Sequence, residues 1–136
     1  MYSEEILAHF QNPQHVGELV PADGVGIAHG GEHCPHDIAR FWIRVDQGRI
    51  AEIKHKTKGC PVAIASSSMT AVLAEGLTVE EAQALTPEMV AAALGGMPER
   101  KFDSIVGPFA LRNAVADYRQ RRAGPRVEVQ AGGSRA

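Results

Sequence analysis

Cys34 stands in His33-Cys34-Pro35-His36-Asp37, a run in which only the proline lacks a side-chain atom able to hold a metal. Cys60, the second of the two cysteines, stands in Gly59-Cys60-Pro61, ahead of a long apolar stretch. Thiolate, imidazole and carboxylate are the donors of tetrahedral zinc sites, and thiolates are those of iron-sulfur clusters. Blander readings stand beside this one. Cysteine is among the types most often buried as packing, Asp37 fits a turn, and His33 and His36 fit a solvated loop. His9, His15, His29 and His55 have no ligating company in sequence and read as structural or solvated. Ser66-Ser67-Ser68 has no fixed His or Asp beside it, and reads as small residues that let helices pack closely.

Composition narrows the choices. The 14 basic and 16 acidic residues are intermixed and sum to a net charge of -2, which leaves no electrostatic footprint for nucleic acid or an anionic membrane. Expected partners are proteins or small inorganic species. No stretch approaches the roughly 20 apolar residues of a membrane span, and MYSEEILAHF is acidic where a signal peptide is basic, so a cytoplasmic protein is expected. In that reducing setting two cysteines rarely make a structural disulfide. With 136 residues and 44% hydrophobic content, one domain is expected over 1–123, followed by a small, polar, mobile tail over 124–136.

The elements that must position the cysteines follow from capping and periodicity. Ser3 with Glu4 and Glu5 starts a short helix whose apolar stripe is Ile6, Leu7 and Phe10, ended by Asn12-Pro13. A glycine-rich loop reaches Pro35, with a short strand at Val25 to Ala28. From Ile38, Ala39, Phe41, Ile43 and Val45 alternate with Arg40, Trp42 and Arg44, the pattern of a half-buried strand. Asp46-Gln47-Gly48 turns the chain into a returning strand, Ile50 to Thr57. Pro61 fits the first position of a helix closing at Gly76, which makes Cys60 its N-cap. Thr78 with Glu81, and Thr86-Pro87, open two short helices, and a long one runs from near Gly107-Pro108 to about Arg122, with Phe109, Leu111, Val115 and Tyr118 available for the sheet. An antiparallel hairpin returns its chain to the end it left, so Cys34 and Cys60 should converge. The helix N-terminus adds backbone donors and positive potential at Cys60, which favour a thiolate.

Two segments carry a resemblance. MYSEEILAHFQNPQHVGEL and GRIAEIKHKTKGCPVAIASSSMTAVLAEGLTVEEA are similar to the corresponding regions of the U-type iron-sulfur cluster assembly scaffolds, the family of IscU, SufU and the N-terminal part of NifU. The resemblance runs from Tyr2 to about Arg121. It implies an α+β fold, with a small antiparallel sheet of about three strands, helices packed on it and a long C-terminal helix. It also implies a site at one exposed end, where a transient cluster is assembled from sulfur delivered by a cysteine desulfurase, or where some members bind zinc.

On this resemblance the family's first and second cysteines fall on Cys34 and Cys60. The family aspartate, two residues after the first cysteine, corresponds either to Asp37 displaced by one residue or to His36 in its place. The third cysteine is absent. Counting back from FALRNAVADYRQ, its position holds Asp103, preceded by Phe102 where some members carry a histidine. GGMPERK does not reproduce the Leu-Pro-Pro-Val-Lys segment by which some members engage an Hsp70 chaperone. A carboxylate at 103 can ligate zinc or iron but cannot carry a persulfide; it also fits an N-cap or a surface charge.

The leading expectation is a non-enzymatic scaffold or carrier that binds iron and sulfide, or a transient [2Fe-2S] cluster, at Cys34 and Cys60. Asp37, Asp103 and possible ligand His36 complete the metal set, with a cysteine desulfurase and acceptor apo-proteins as partners. One alternative is a zinc protein that accepts sulfur from a desulfurase. Another is a metal-free interaction module on the same fold.

Overall fold

The computed structural model describes residues 2–123; the tail expected over 124–136 lies outside them. Local chemistry accounts for most element boundaries. Ser3 accepts a hydrogen bond from the Ile6 N–H and starts α1, Glu4–Gln11. Asp46 and Arg49 are joined by Gln47 and Gly48, at φ 53° and 77°, the two left-handed residues of a tight hairpin turn. Cys60 is the N-cap of α2, Pro61–Ala74, with Pro61 at the first helical position. Thr78 and Glu81 form a reciprocal capping box on α3, Val79–Gln83, and Thr86 caps α4, Pro87–Ala93. The long helix α5 spans Gly107–Arg122.

Three antiparallel strands, β1 (Gly24–His29), β2 (Ile38–Asp46) and β3 (Arg49–Lys58), lie in the order β1-β2-β3. One face of the sheet, with Phe41, Ile43, Ile50 and Ile53, is buried against α2, α3 and α5 through Ala71, Ala82, Leu111 and Val115. A second apolar cluster joins Ile6, Val62, Ala65, Val90, Leu94 and Ile105, and Cys60 packs against it. The second cysteine therefore stands beside the second core, at the N-terminal end of α2.

Several expectations are adjusted by packing. The strand expected at Val25 to Ala28 extends by one residue at each end to take in Gly24 and His29, and its glycines let α5 cross closely: a Cβ on Gly26 would lie 2.2 Å from Ala114 N and 2.3 Å from Ala110 O. Of the α1 stripe only Ile6 is buried, while Leu7 and Phe10 remain exposed. Phe109 is exposed as well, beneath the Arg112 guanidinium, and α5 buries Ala110, Leu111, Ala114 and Val115 instead. Trp42 is 7% exposed although it lies on the outer face, where Arg40 covers its ring and Lys54 stands opposite in register. A 3-10 turn, Glu99–Ser104, precedes α5 and has no counterpart in the sequence-based expectations.

Candidate functional site

Cys34 is presented by two successive tight turns. Its N–H donates to the Gly31 carbonyl at 2.9 Å, and its own carbonyl accepts from the Asp37 N–H at 3.1 Å. The Gly30 N–H donates to the Asp37 carbonyl at 2.8 Å, one step beyond the last β1–β2 pair, His29 with Ile38. A Cβ on Gly30 would come 2.1 Å from the Cys34 carbonyl oxygen, so the loop needs glycine there.

The β2–β3 register links this loop to Cys60. Ile38 pairs with Lys58, which sets Asp37 beside Gly59 and Cys60. The Cys60 N–H donates to Asp37 Oδ1 at 3.2 Å, and Asp37 Oδ2 lies 3.8 Å from Cys60 Sγ. Asp37 is only 5% exposed, its carboxylate set at the N-terminal end of α2, where the helix dipole favours negative charge. Gly59, at φ +150°, makes this approach possible, because a Cβ there would lie 2.2 Å from Asp37 Oδ1.

Both cysteines are free thiols, half-buried, and both reach one hydroxyl. Ser104 Oγ lies 2.9 Å from Cys34 Sγ and 3.2 Å from Cys60 Sγ. Ser104 is fully buried at the end of the 3-10 turn, where the Ser66 hydroxyl of α2 donates to its carbonyl at 3.4 Å. Sequence reasoning missed this residue. Its only sequence signal is adjacency to Asp103, and a lone serine in a segment without clear periodicity carries no information about its neighbours.

The other candidates are distributed differently. The Asp103 carboxylate accepts from the His33 N–H at 3.3 Å, and the Asp103 carbonyl accepts from the Gly31 N–H at 3.0 Å. A Cβ on Gly31 would stand 2.6 Å from Asp103 Cγ. Asp103 thus braces the Cys34 loop, and it also lines a cleft with Phe102, Ile105, Glu88 and Phe109. His36 is exposed. His33 lines a shallow cleft with Cys34, Arg100 and Lys101. Among the described residues, no three side chains of His, Cys, Asp or Glu stand close enough together to hold one metal ion. What converges is two sulfurs, one hydroxyl between them and one carboxylate behind the second sulfur.

His55 and His9 serve the scaffold. His55 is buried, stacks on Phe41 with centroids 5.3 Å apart, and donates from Nε2 to the Gln14 carbonyl at 2.9 Å. Burial lowers its pKa to about 4. Nδ1 of neutral His55 is left to accept from the Thr57 hydroxyl at 3.0 Å. His9 bonds through Nδ1 to the Ser68 hydroxyl, which also accepts the Gln14 N–H, and burial lowers the His9 pKa. Ser66, Ser67 and Ser68 are fully buried within α2, in keeping with close helix packing.

Comparison with known proteins agrees with this architecture. Residues 1–124 match the family described as NifU-like N terminal domain. The iron-sulfur cluster assembly scaffold protein IscU 1 of Archaeoglobus fulgidus is 46% identical over 119 residues, 87% of this chain and 76% of that protein. The iron-sulfur cluster assembly scaffold protein IscU of Escherichia coli K12 is 36% identical over 123 residues, 89% of this chain and 96% of its own. The crystal structure of FiSufU, from the SUF system of thermophilic Fervidobacterium islandicum AW-1, shares the fold at a TM-score of 0.67 and 18% identity, over 84% of this chain and 96% of that one.

Proposed function

We propose, from the premise that this chain belongs to the family of NifU-like N terminal domains, that it is an iron-sulfur cluster assembly scaffold whose cargo is held between Cys34 and Cys60. The observation that carries the reading is the convergence of these two thiols on one buried point, the Ser104 hydroxyl, at the end of the sheet. As thiolates they are soft ligands suited to iron in a [2Fe-2S] unit. The cluster is cargo, not a resident cofactor, and a site with two sulfurs instead of three suits cargo that must leave. The chain itself turns over no substrate. Sulfur comes from a cysteine desulfurase, and acceptor apo-proteins take the finished cluster.

In this reading Asp37 is the site's carboxylate. Its burial beside Cys60 and its bond to the Cys60 N–H support that choice over the exposed His36. The bond from the His33 N–H supports a loop-bracing part for Asp103. The backbone donors at the start of α2 add positive potential beside Cys60, which offsets the negative charge of a thiolate-bound cluster.

Anaerobic reconstitution with ferrous iron, sulfide and a desulfurase tests the proposal. Visible absorption should develop in the unaltered chain and disappear in Cys34→Ser and Cys60→Ser. Absorption that does not depend on the cysteines would refute it. Stoichiometric zinc that survives desalting, with no cluster formed, would replace it with the zinc-bound sulfur-acceptor reading.

A further inference from the structure

We infer that Ser104, one residue beyond the position reached by counting back along the chain, belongs to the cargo site beside Cys34, Cys60 and Asp37, as a positioning residue whose hydroxyl bonds the cysteine sulfurs. The inference rests on the scaffold reading for the identity of the cargo, but its geometry does not. Leaving a buried hydroxyl without a partner is costly, and the side-chain partners of Ser104 Oγ are Cys34 Sγ at 2.9 Å and Cys60 Sγ at 3.2 Å. A hydroxyl has one proton and two lone pairs, so between two neutral thiols it can donate to one and accept from the other. Once both cysteines are thiolates bound to metal, neither can donate, and the Ser104 proton goes to a ligating sulfur.

Consecutive residues of a 3-10 turn point about 120° apart, since three residues complete each turn. Asp103 and Ser104 therefore cannot both face the sulfurs. Asp103 takes the outer direction, where the His33 N–H and the close approach of Gly31 hold its carboxylate. Ser104 takes the inner one. Its backbone is anchored by the Ser66 hydroxyl, on the same helix that Cys60 caps, and by Ile105, which is 1% exposed in the second core. The hydroxyl is thus held by elements that also hold Cys60, and Cys34 is brought to it by the loop that Asp103 braces. The two residues divide the work: Asp103 sets the loop, and Ser104 holds the sulfurs.

A hydrogen bond to a ligating thiolate lowers the energy of the sulfur lone pair, so it raises the energy of sulfur-to-metal charge transfer. Cobalt(II) added to the reduced, metal-free full chain reads this without any assembly activity. The unaltered chain should show a charge-transfer band that requires Cys34 and Cys60. Ser104→Ala, which removes only an oxygen, should move that band to longer wavelength and weaken cobalt binding by about 10- to 100-fold, the usual effect of losing a partner to a metal ligand. Ser104→Thr, which keeps the hydroxyl, should restore the band position. Asp103→Asn, which keeps an acceptor for the His33 N–H, should leave the band in place. The inference is overturned if Ser104→Ala leaves the band unmoved, or if Asp103→Asn moves it as far. Cobalt behaviour as described, in a chain that forms no cluster, would keep the Ser104 assignment and sink the scaffold reading. Cluster formation with an unmoved cobalt band in Ser104→Ala would do the reverse.

Discussion

His55 ties the site's supporting strand to the N-terminal segment, and its burial makes the stability of that connection pH-dependent. The imidazole is 1% exposed, and its pKa falls from 6.5 to about 4, chiefly through burial, with the nearby His15 acting in the same direction. The bond from Nε2 to the Gln14 carbonyl opposes the fall without cancelling it. In the folded chain the neutral ring is therefore favoured, whereas the unfolded chain takes up the proton at the ordinary value. Stability from this residue is complete above pH 6.5 and is lost as pH falls toward 4. At about 1.4 kcal/mol per pH unit, the loss reaches roughly 3 kcal/mol at the bottom of that window, a sizeable part of the about 5–15 kcal/mol that holds a domain folded. Equilibrium urea unfolding of the unaltered chain and of His55→Gln, at intervals between pH 4 and 7.5, isolates the effect from His9, which titrates in both proteins. Relative to the variant, the unaltered chain should lose roughly 3 kcal/mol across the window. A stability difference that stays constant with pH, or a His55 ring that titrates near 6.5 in nuclear magnetic resonance spectra, would refute the reasoning.

Two glycine substitutions test the packing that positions the site. Gly26→Ala drives a methyl group into the α5 backbone at Ala110 and Ala114; the helix must shift, and the midpoint of thermal unfolding should drop by about 10 °C, from a cost of about 2–3 kcal/mol. Gly59→Ala forces an unfavourable backbone conformation and collides with Asp37 Oδ1. It should cost about 1–3 kcal/mol in urea unfolding and should also weaken cobalt binding at the cysteines, an effect that Gly26→Ala lacks where it remains folded.

Much of the fold was legible because its signals are local. Ser3, Thr78 and Thr86 cap helices through bonds to backbone N–H groups three residues on, and Pro61 marks Cys60 as an N-cap without any knowledge of what lies nearby. The hairpin turn at Gln47-Gly48 is equally local, and with it came the expectation that the two cysteine loops meet at one end of the sheet. Distant packing was not legible in this way: Gly26 lay inside the expected strand and Gly24 just outside it, but nothing local shows that both serve a helix roughly ninety residues away along the chain. Leu7, Phe10 and Phe109 likewise have the right type for a core and the wrong direction, since each helix buries only the arc that faces a neighbour.

The candidate site divides along the same line. The sequence by itself determined the family, the two thiols, the absence of a third and the presence of carboxylates nearby, because these are matters of residue type and order. Only the tertiary structure decided how those groups face one another. The β2–β3 register brings Asp37 to the Cys60 N–H while His36 stays outside. The 3-10 turn aims Ser104 between the sulfurs and Asp103 at the backbone of the Cys34 loop. Counting along a chain finds a position, but the direction of a side chain depends on the turn that carries it and on what is packed against that turn. For this protein that difference amounts to a single residue, and it separates a carboxylate that braces a loop from a hydroxyl that reaches both cysteines.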